Sequence, residues 1–495
     1  MKKNDIIRLE ISGLTSEGNG IGRYEGMAIF VPYTAVGDVI NCRIVKVNKS
    51  YCYGKIEEIL TSGGSRIKPD CPVYYKCGGC SLRHISYSAE LEAKEGFVRD
   101  AFTRIGEFEM LPQPIVGRPD RLRYRNKAQL PVCQTEGESR CGFYSQRSHR
   151  VVPFDDCLIQ PQLFNDISRE ILKYHDSRRL TCYDETTGKG LLRHIYIRQG
   201  YHSKETMVCL VVTKATHDYD GLAELLPTLF PEIRTVLLNV NHKNTNVILG
   251  EENAVLFGNG MICDSMCSNT VTVSPHSFYQ INTPAAEEVY TIAREYASLS
   301  GGETLVDLYC GAGTVGLSMA KNLGRLIGVE IIPQAVENAR ANAEANGIDN
   351  AEFLCGDAGD IATKLANEGI TPDVVVVDPP RKGCDQPTLD AVLKMSPDRF
   401  VMISCNPATA ARDCKYMCEH GYRLISYRPA DLFPGTFHIE TVALLCRQKY
   451  ENEYEEYFMN RTVEDIMIEY GEQRDEWKVC RPKQITDETV CLLTK

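Results

Sequence analysis

From about Pro284 to Cys446 the chain alternates short apolar strands with helical segments, and this repeat restricts the fold more than any other feature. A helical pattern after Pro284 leads to strands at Thr304–Leu308 and Arg325–Glu330, separated by a helix beginning near Gly313. A helix at Pro333–Asn346, strands at Ala351–Leu354 and Asp373–Asp378, a helix around Thr388–Met395 and a strand at Arg399–Ser404 follow. Strands this apolar, each separated from the next by a helix, predict an α/β fold: a mostly parallel sheet covered on both faces.

At 495 residues the chain is too long for one core, and roughly three domains of ~100–200 residues are expected. Residues 1–62 read as short strands (Ile6–Ile11, Met27–Val31, Asp38–Val47, Tyr53–Leu60) punctuated by turn glycines. That pattern suits a small barrel of the oligonucleotide-binding kind, or a generic small β domain. Residues 63–270 mix strand-like runs with helical ones such as Tyr87–Ile105 and Gln160–His175, predicting a central α/β domain. Residues 271–448 form the strand–helix repeat, and 449–495 an acidic C-terminal extension.

The composition, 43% apolar and 24% charged, is that of a folded soluble protein. The chain opens without a charged leader and holds no run of ~18 apolar residues, so the expected compartment is the cytoplasm. A formal net charge of −11 argues against a protein that coats nucleic acid non-specifically. Yet Arg118, Arg121, Arg123, Arg125, Lys127, Arg140, Arg147 and Arg150 make a basic stretch able to meet phosphates.

Twenty-one cysteines in a chain expected in a reducing compartment argue against a disulfide framework. Cys71, Cys77 and Cys80 are spaced C-x5-C-x2-C around Gly78 and Gly79, as thiolates wrapped about a small inorganic centre are. Three are one short of the four that tetrahedral zinc or an iron–sulfur cluster takes. Cys157 is the best fourth, Cys133 and Cys141 compete, and spacing does not separate zinc from iron–sulfur.

The glycine-rich turn Asp307–Gly316, with Gly311 at its bend, follows a strand and opens a helix, letting backbone amides approach an adenosyl ligand. Glu330, ending the next strand, is placed to accept from ribose hydroxyls, and Asp357, after the third, to address the adenine edge; both are also compatible with solvated loops. Asp378-Pro379-Pro380 fixes a rigid loop with no amide hydrogens at its prolines, of no evident use for hydride transfer but suited to walling a flipped base. Cys405, in Ser404-Cys405-Asn406-Pro407, ends an apolar strand, and Glu440 opens another. A pyrimidine C5 is a weak nucleophile until a thiolate adds to C6, and a base must then remove the C5 proton. That chemistry needs one reactive cysteine and one carboxylate, and Cys405 and Glu440 fit the two roles.

In these motifs the chain resembles the bacterial RNA (uracil-5-)-methyltransferases over residues 1 to about 448. It is most similar to their iron–sulfur branch, which acts on large-subunit ribosomal RNA and includes dual-site enzymes of Gram-positive bacteria. The resemblance implies a class I, Rossmann-like S-adenosylmethionine methyltransferase domain preceded by a TRAM barrel and a central iron–sulfur domain. It implies S-adenosylmethionine contacts at Gln280, Tyr309, Glu330 and Asp378, a nucleophile at Cys405 and a base at Glu440. A [4Fe-4S] cluster on Cys71, Cys77, Cys80 and Cys157 is implied too, as is a protein-free or early-assembly 23S ribosomal RNA substrate. Arg193, in Gly190-Leu191-Leu192-Arg193-His194, becomes an expected RNA contact. One flipped base needs one active site, so a monomer with no membrane partner is expected. Three rival readings remain: the same chemistry on the T-loop of transfer RNA, a non-catalytic RNA-binding or ribosome-assembly protein, and a nicotinamide-dependent oxidoreductase. The last leaves Asp378-Pro379-Pro380 and Cys405 without roles.

Overall fold

A computed structural model describes residues 1–447; the acidic extension at 449–495 lies outside the described residues. Five strands, Ile6–Leu14, Asn19–Tyr24, Met27–Pro32, Val39–Val47 and Tyr51–Thr61, close a barrel. Alternation turns Leu9, Ile11, Ile29, Val31, Ile40, Cys42, Ile44 and Cys52 inward. The strand Asn19–Tyr24 is not legible in the sequence, because Gly20 and Gly22 read as turn residues. Both are there for close packing instead: a Cβ on Gly20 would collide with Thr34, and one on Gly22 with the Glu10 carbonyl and Leu9.

A second sheet has seven strands in the order Glu252–Phe257, Ile233–Val240, Thr206–Val212, Leu192–Gln199, Lys127–Thr135, Glu138–Tyr144, Val151–Pro153. Helices Gln162–Ser177 and Asp220–Leu229 cover one face. Tyr196, Met207, Cys209 and Leu237 join the core of the third sheet's unit, as does the hairpin Ile262–Met266/Asn269–Val273.

In the third sheet we number the strands β1 (Thr304–Leu308), β2 (Arg325–Glu330), β3 (Ala351–Cys355), β4 (Val374–Val377), β5 (Arg399–Ser404), β6 (Tyr422–Ala430) and β7 (Glu440–Arg447). The order is β3-β2-β1-β4-β5-β7-β6; the first five are parallel and β7 is antiparallel to both its neighbours. The predicted parallel sheet is therefore present, closed at one side by an antiparallel pair. Strand order reverses between β1 and β4, so the loops leaving their carboxyl ends diverge and open a crevice, the place where such sheets bind ligands.

Helices Thr283–Ala297, Thr314–Met319 and Pro333–Ala345 bury one face of this sheet, and Ala358–Asn367, Gln386–Met395 and Pro407–Glu419 the other. The helix Tyr87–Arg104, read from sequence as part of the central segment, also packs here. Its Phe102 stacks on Tyr427 with ring centroids 4.1 Å apart. A phenylalanine fully buried in this way contributes roughly 1.5–3 kcal/mol. Among the described residues no helix is long and apolar enough to cross a membrane.

Candidate active site

The carboxyl edge of the third sheet gathers most of the sequence-predicted residues. Beyond β1 the chain turns sharply through Tyr309, Gly311 and Gly313, all at positive φ (68°, 55° and 80°). Tyr309 is the unusual member, since a bulky residue in the left-handed region is strained. Its hydroxyl lies 3.3 Å from Thr388 Oγ1. The Gly311 amide donates to Glu330 Oε2 at 3.1 Å, and Glu330 Oε1 accepts from the Ile332 amide at 2.8 Å. Glu330 thus braces the glycine turn from β2, and each oxygen keeps a lone pair for a ligand.

The glycine motif is only partly a ligand motif. A Cβ on Gly316 would stand 2.8 Å from Leu326 Cδ1 and 2.9 Å from Asp307 Oδ2, so this glycine serves the close approach of helix to sheet. Asp307 accepts from the Gly316 amide at 2.9 Å, and burial raises its carboxyl to about 8. Asp357, expected to face an adenine edge, caps the helix Ala358–Asn367 by accepting from the Gly359 and Asp360 amides.

Across the crevice, burial raises Asp378, at the end of β4, to about 7. Its charge is felt by the fully buried Tyr290, whose hydroxyl also bonds the side chain of Gln280 and meets Thr314 Oγ1 at 3.3 Å. Gln280 and Asp378 are brought together through Tyr290, a residue the sequence did not signal.

Cys405 and Glu440 meet by register. β5 pairs with β7 up to Ser404 and Thr441, which leaves Cys405 and Glu440 each next to that last pair, near enough for Glu440 to act on the thiol. Glu440 is 6% exposed, and burial, then Asp378, hold its carboxyl well above the usual carboxylate range, with Arg381 pulling the other way. Burial first, then Glu440 and Asp378, push the Cys405 thiol up to about 11, against Arg381. Asn406, next to the thiol, caps the helix Pro407–Glu419 by accepting from Ala408, so a helix N-terminus sits beside Cys405. Asn406 Nδ2 also donates to the Arg381 carbonyl at 2.9 Å, and the Arg381 guanidinium lies 2.9 Å from His438 Nδ1. Arg381 and His438 complete the site; the sequence showed Arg381 only as a member of the Asp378–Gly383 loop.

Cys71, Cys77, Cys80 and Cys157 line one cavity with Tyr74, Phe143, Phe154 and Ile159, whereas the rival fourth ligands Cys133 and Cys141 do not line it. Among the described residues no three Cys, His, Asp or Glu side chains stand close enough to hold one metal ion. Burial raises the Cys80 thiol to about 12 and the Cys157 thiol to about 11, with the neighbouring cysteines adding to both. Arg193, expected at the surface as an RNA contact, is 4% exposed and donates to the Asn241 and Lys243 carbonyls, which fixes a loop of the second sheet.

Comparison with known proteins fits this geometry. The model of the tRNA (Uracil-5-)-methyltransferase family matches residues 86–448, and that of the TRAM domain residues 2–56. An uncharacterised RNA methyltransferase of Halalkalibacterium halodurans is 39% identical over 447 residues, 90% of this chain and 98% of its own. One from Staphylococcus epidermidis is 40% identical over 454 residues, 91% and 99% of the two chains. Among solved structures, the Pyrococcus abyssi tRNA (uracil-54, C5)-methyltransferase in complex with S-adenosyl-L-homocysteine superposes with a TM-score of 0.70 at 27% identity, covering 88% of this chain and 99% of that one.

Proposed function

The chain belongs to the tRNA (uracil-5-)-methyltransferase family, and from that premise we propose that it methylates C5 of specific uridines in RNA, with S-adenosylmethionine as methyl donor. The observation that supports the mechanism is that β5 and β7 end their pairing at Ser404 and Thr441, next to the Cys405 thiol and the buried Glu440 carboxyl, each of which feels nearby charge.

Gln280, Tyr309, Gly311, Glu330, Asp357 and Asp378 would hold S-adenosylmethionine, which would supply an electrophilic methyl group on a sulfonium. Cys405 releases its thiol proton to solvent and adds as thiolate to C6 of the flipped uracil, forming the sulfur–carbon bond and moving the π electrons onto C5 and the C4 carbonyl. Arg381 and the N-terminus of the helix Pro407–Glu419 favour the thiolate. After C5 has been methylated, Glu440, having first released the proton that burial favours, takes the C5 proton as a carboxylate. The electron pair of that C–H bond restores the C5–C6 double bond and expels Cys405.

The substrate we propose is 23S ribosomal RNA, protein-free or early in assembly, met by the barrel and the basic stretch of the central domain. The four thiols around one cavity support this choice, since they suit the [4Fe-4S] branch. Cys71, Cys77, Cys80 and Cys157 would hold the cluster, which would organise the central domain; methyl transfer itself moves no electron to a redox centre. In this reading the enzyme works as a cytoplasmic monomer, its domains dividing near residues 62, 270 and 448. A second reading, a transfer-RNA substrate, is favoured by the likeness to the archaeal tRNA enzyme over 88% of the chain.

Incubating anaerobically purified protein, and its Cys405→Ala variant, with labelled S-adenosylmethionine and either protein-free 23S RNA or bulk tRNA tests both. Label mapped by mass spectrometry to 5-methyluridine in ribosomal fragments, and absent with the variant, is the expected result. Label in tRNA alone selects the second reading, and label in neither overturns the proposal.

A further inference from the structure

The helix Tyr87–Arg104 carries a lysine that the chemistry above does not use. Lys94, Glu90 and Asp431 are all 0% exposed, and Lys94 Nζ donates to Glu90 Oε1 at 2.8 Å, to Asp431 Oδ1 at 2.6 Å and to the Phe433 carbonyl at 3.2 Å. Tyr87 adds a hydrogen bond to Asp431 Oδ2 at 2.9 Å, and the Gly435 amide donates to Glu90 Oε1 at 2.7 Å. Apart from the Lys94–Glu90 pair within the helix, these contacts grip one segment, Asp431–Ile439, which links β6 to β7 and leads into Glu440.

A second strut reaches the same segment from the thiol-lined cavity. Directly after Cys80, the Ser81 and Leu82 amides both donate to the Gly435 carbonyl at 2.9 Å. Arg83, which lines that cavity and pairs with Asp70, packs against Gly435, where a Cβ would stand 3.1 Å from Arg83 Cγ. Tyr124 donates to the Pro434 carbonyl at 3.2 Å and Asn282 to the Leu432 carbonyl at 2.9 Å. The segment is therefore clamped from the helix, from the cysteine loop and from the entry to the third sheet.

A buried ion triad is a poor way to gain stability, since apolar side chains of the same volume do as well; what it adds is one defined geometry. Resting on the reading of Glu440 as the C5 base, we infer that Lys94 and the Ser81–Arg83 strut are positioning residues for Glu440, holding its carboxylate over the C5 proton. Among the described residues they make no hydrogen bond or ion pair with Cys405 or its loop. Loosening them therefore slows proton removal while leaving thiol addition intact.

This separates the inference from a general structural role. If Cys405 adds to C6 and C5 is methylated but the C5 proton stays, the thiol is not expelled and the enzyme remains covalently attached to RNA. Lys94→Met removes the triad's cation, and Gly435→Ala forces a Cβ toward Arg83 at a positive φ of 81°. Each variant, with Glu440→Gln as reference, is mixed with RNA substrate and labelled S-adenosylmethionine. The methyl-labelled protein–RNA adduct that survives denaturation is then measured, together with its decay. A carboxylate displaced by about 1 Å reacts on the order of a hundredfold more slowly. The expected result is adduct accumulation in both variants, with release slowed about that much. Wild-type release and no excess adduct in Lys94→Met and Gly435→Ala, while Glu440→Gln accumulates it, overturns the positioning role. No adduct in Glu440→Gln overturns instead the assignment of Glu440 as base.

Discussion

In the ligand-free protein the Cys405 thiol, raised to about 11, must be almost wholly protonated at neutral pH. At pH 7 that leaves about one thiolate in ten thousand, and the fraction grows tenfold per pH unit up to about pH 10. Alkylation by iodoacetamide, an uncharged reagent that reads thiolate, should therefore rise about a thousandfold between pH 7 and pH 10 without a plateau. Trypsin releases Cys405 in the peptide Phe400–Arg412, which holds no other cysteine, so mass spectrometry follows this thiol alone among twenty-one. Glu440 and Asp378 are named causes of the high value, after burial, and Arg381 is the opposing cation. A further positive charge brought beside these acids should lower the thiol by about 1–3 pKa units. S-adenosylmethionine carries such a charge and S-adenosylhomocysteine does not. At pH 7 the first should speed alkylation about 10- to 1000-fold, less any shielding of the thiol, and the second should not. A plateau below pH 8.5 in the ligand-free protein, or equal acceleration by both ligands, would refute the argument that charge in the crevice controls the nucleophile.

Lys94→Met, which strands two buried carboxylates, should destabilise the fold by about 3–5 kcal/mol in urea titration. Adding Glu90→Gln and Asp431→Asn should restore most of that loss. Asp307 and Asp378 keep protons in the fold up to about 8 and about 7, whereas the unfolded chain releases them near the ordinary ~3.9. The stability each provides is full at acid pH and is lost as pH rises through its folded value, so ligand-free thermal midpoints should fall from pH 5.5 to pH 8.5. Asp378→Asn should flatten part of that fall. Gly316→Ala should cost about 1–3 kcal/mol, because its Cβ meets Leu326 and Asp307. Anaerobically purified protein should contain iron and acid-labile sulfide, and Cys157→Ser should lose both; zinc in their place would refute the cluster.

Most of the parallel sheet was legible because its strands are buried on both faces and read as unbroken apolar runs: Val374–Val377 is four valines, all fully buried. Cys405, Glu440 and Asp378 were legible because each sits at the end of such a run. The strand Asn19–Tyr24 was not, since glycine serves a turn and a crowded strand equally well, and only the neighbours, Thr34 and Glu10, distinguish them. Arg193 shows the same ambiguity: a strand-end arginine suggests a surface until the carbonyls of Asn241 and Lys243 surround it.

The sequence by itself therefore determined the groups on which the proposal rests, a strand-end cysteine, a strand-start glutamate, a glycine turn and four spaced cysteines, together with the strand–helix grammar that puts strand ends at one edge. Tertiary structure decided what lies beside what. The reversal of strand order between β1 and β4 opens the crevice, and antiparallel insertion of β7 next to β5 makes neighbours of Cys405 and Glu440, 35 positions apart in the chain. Lys94 reaches the Glu440 segment from more than 330 residues away, at 337 positions from Asp431. The physical reason is that strand propensity and burial are local, whereas pairing order and register are chosen by the summed packing of the whole core.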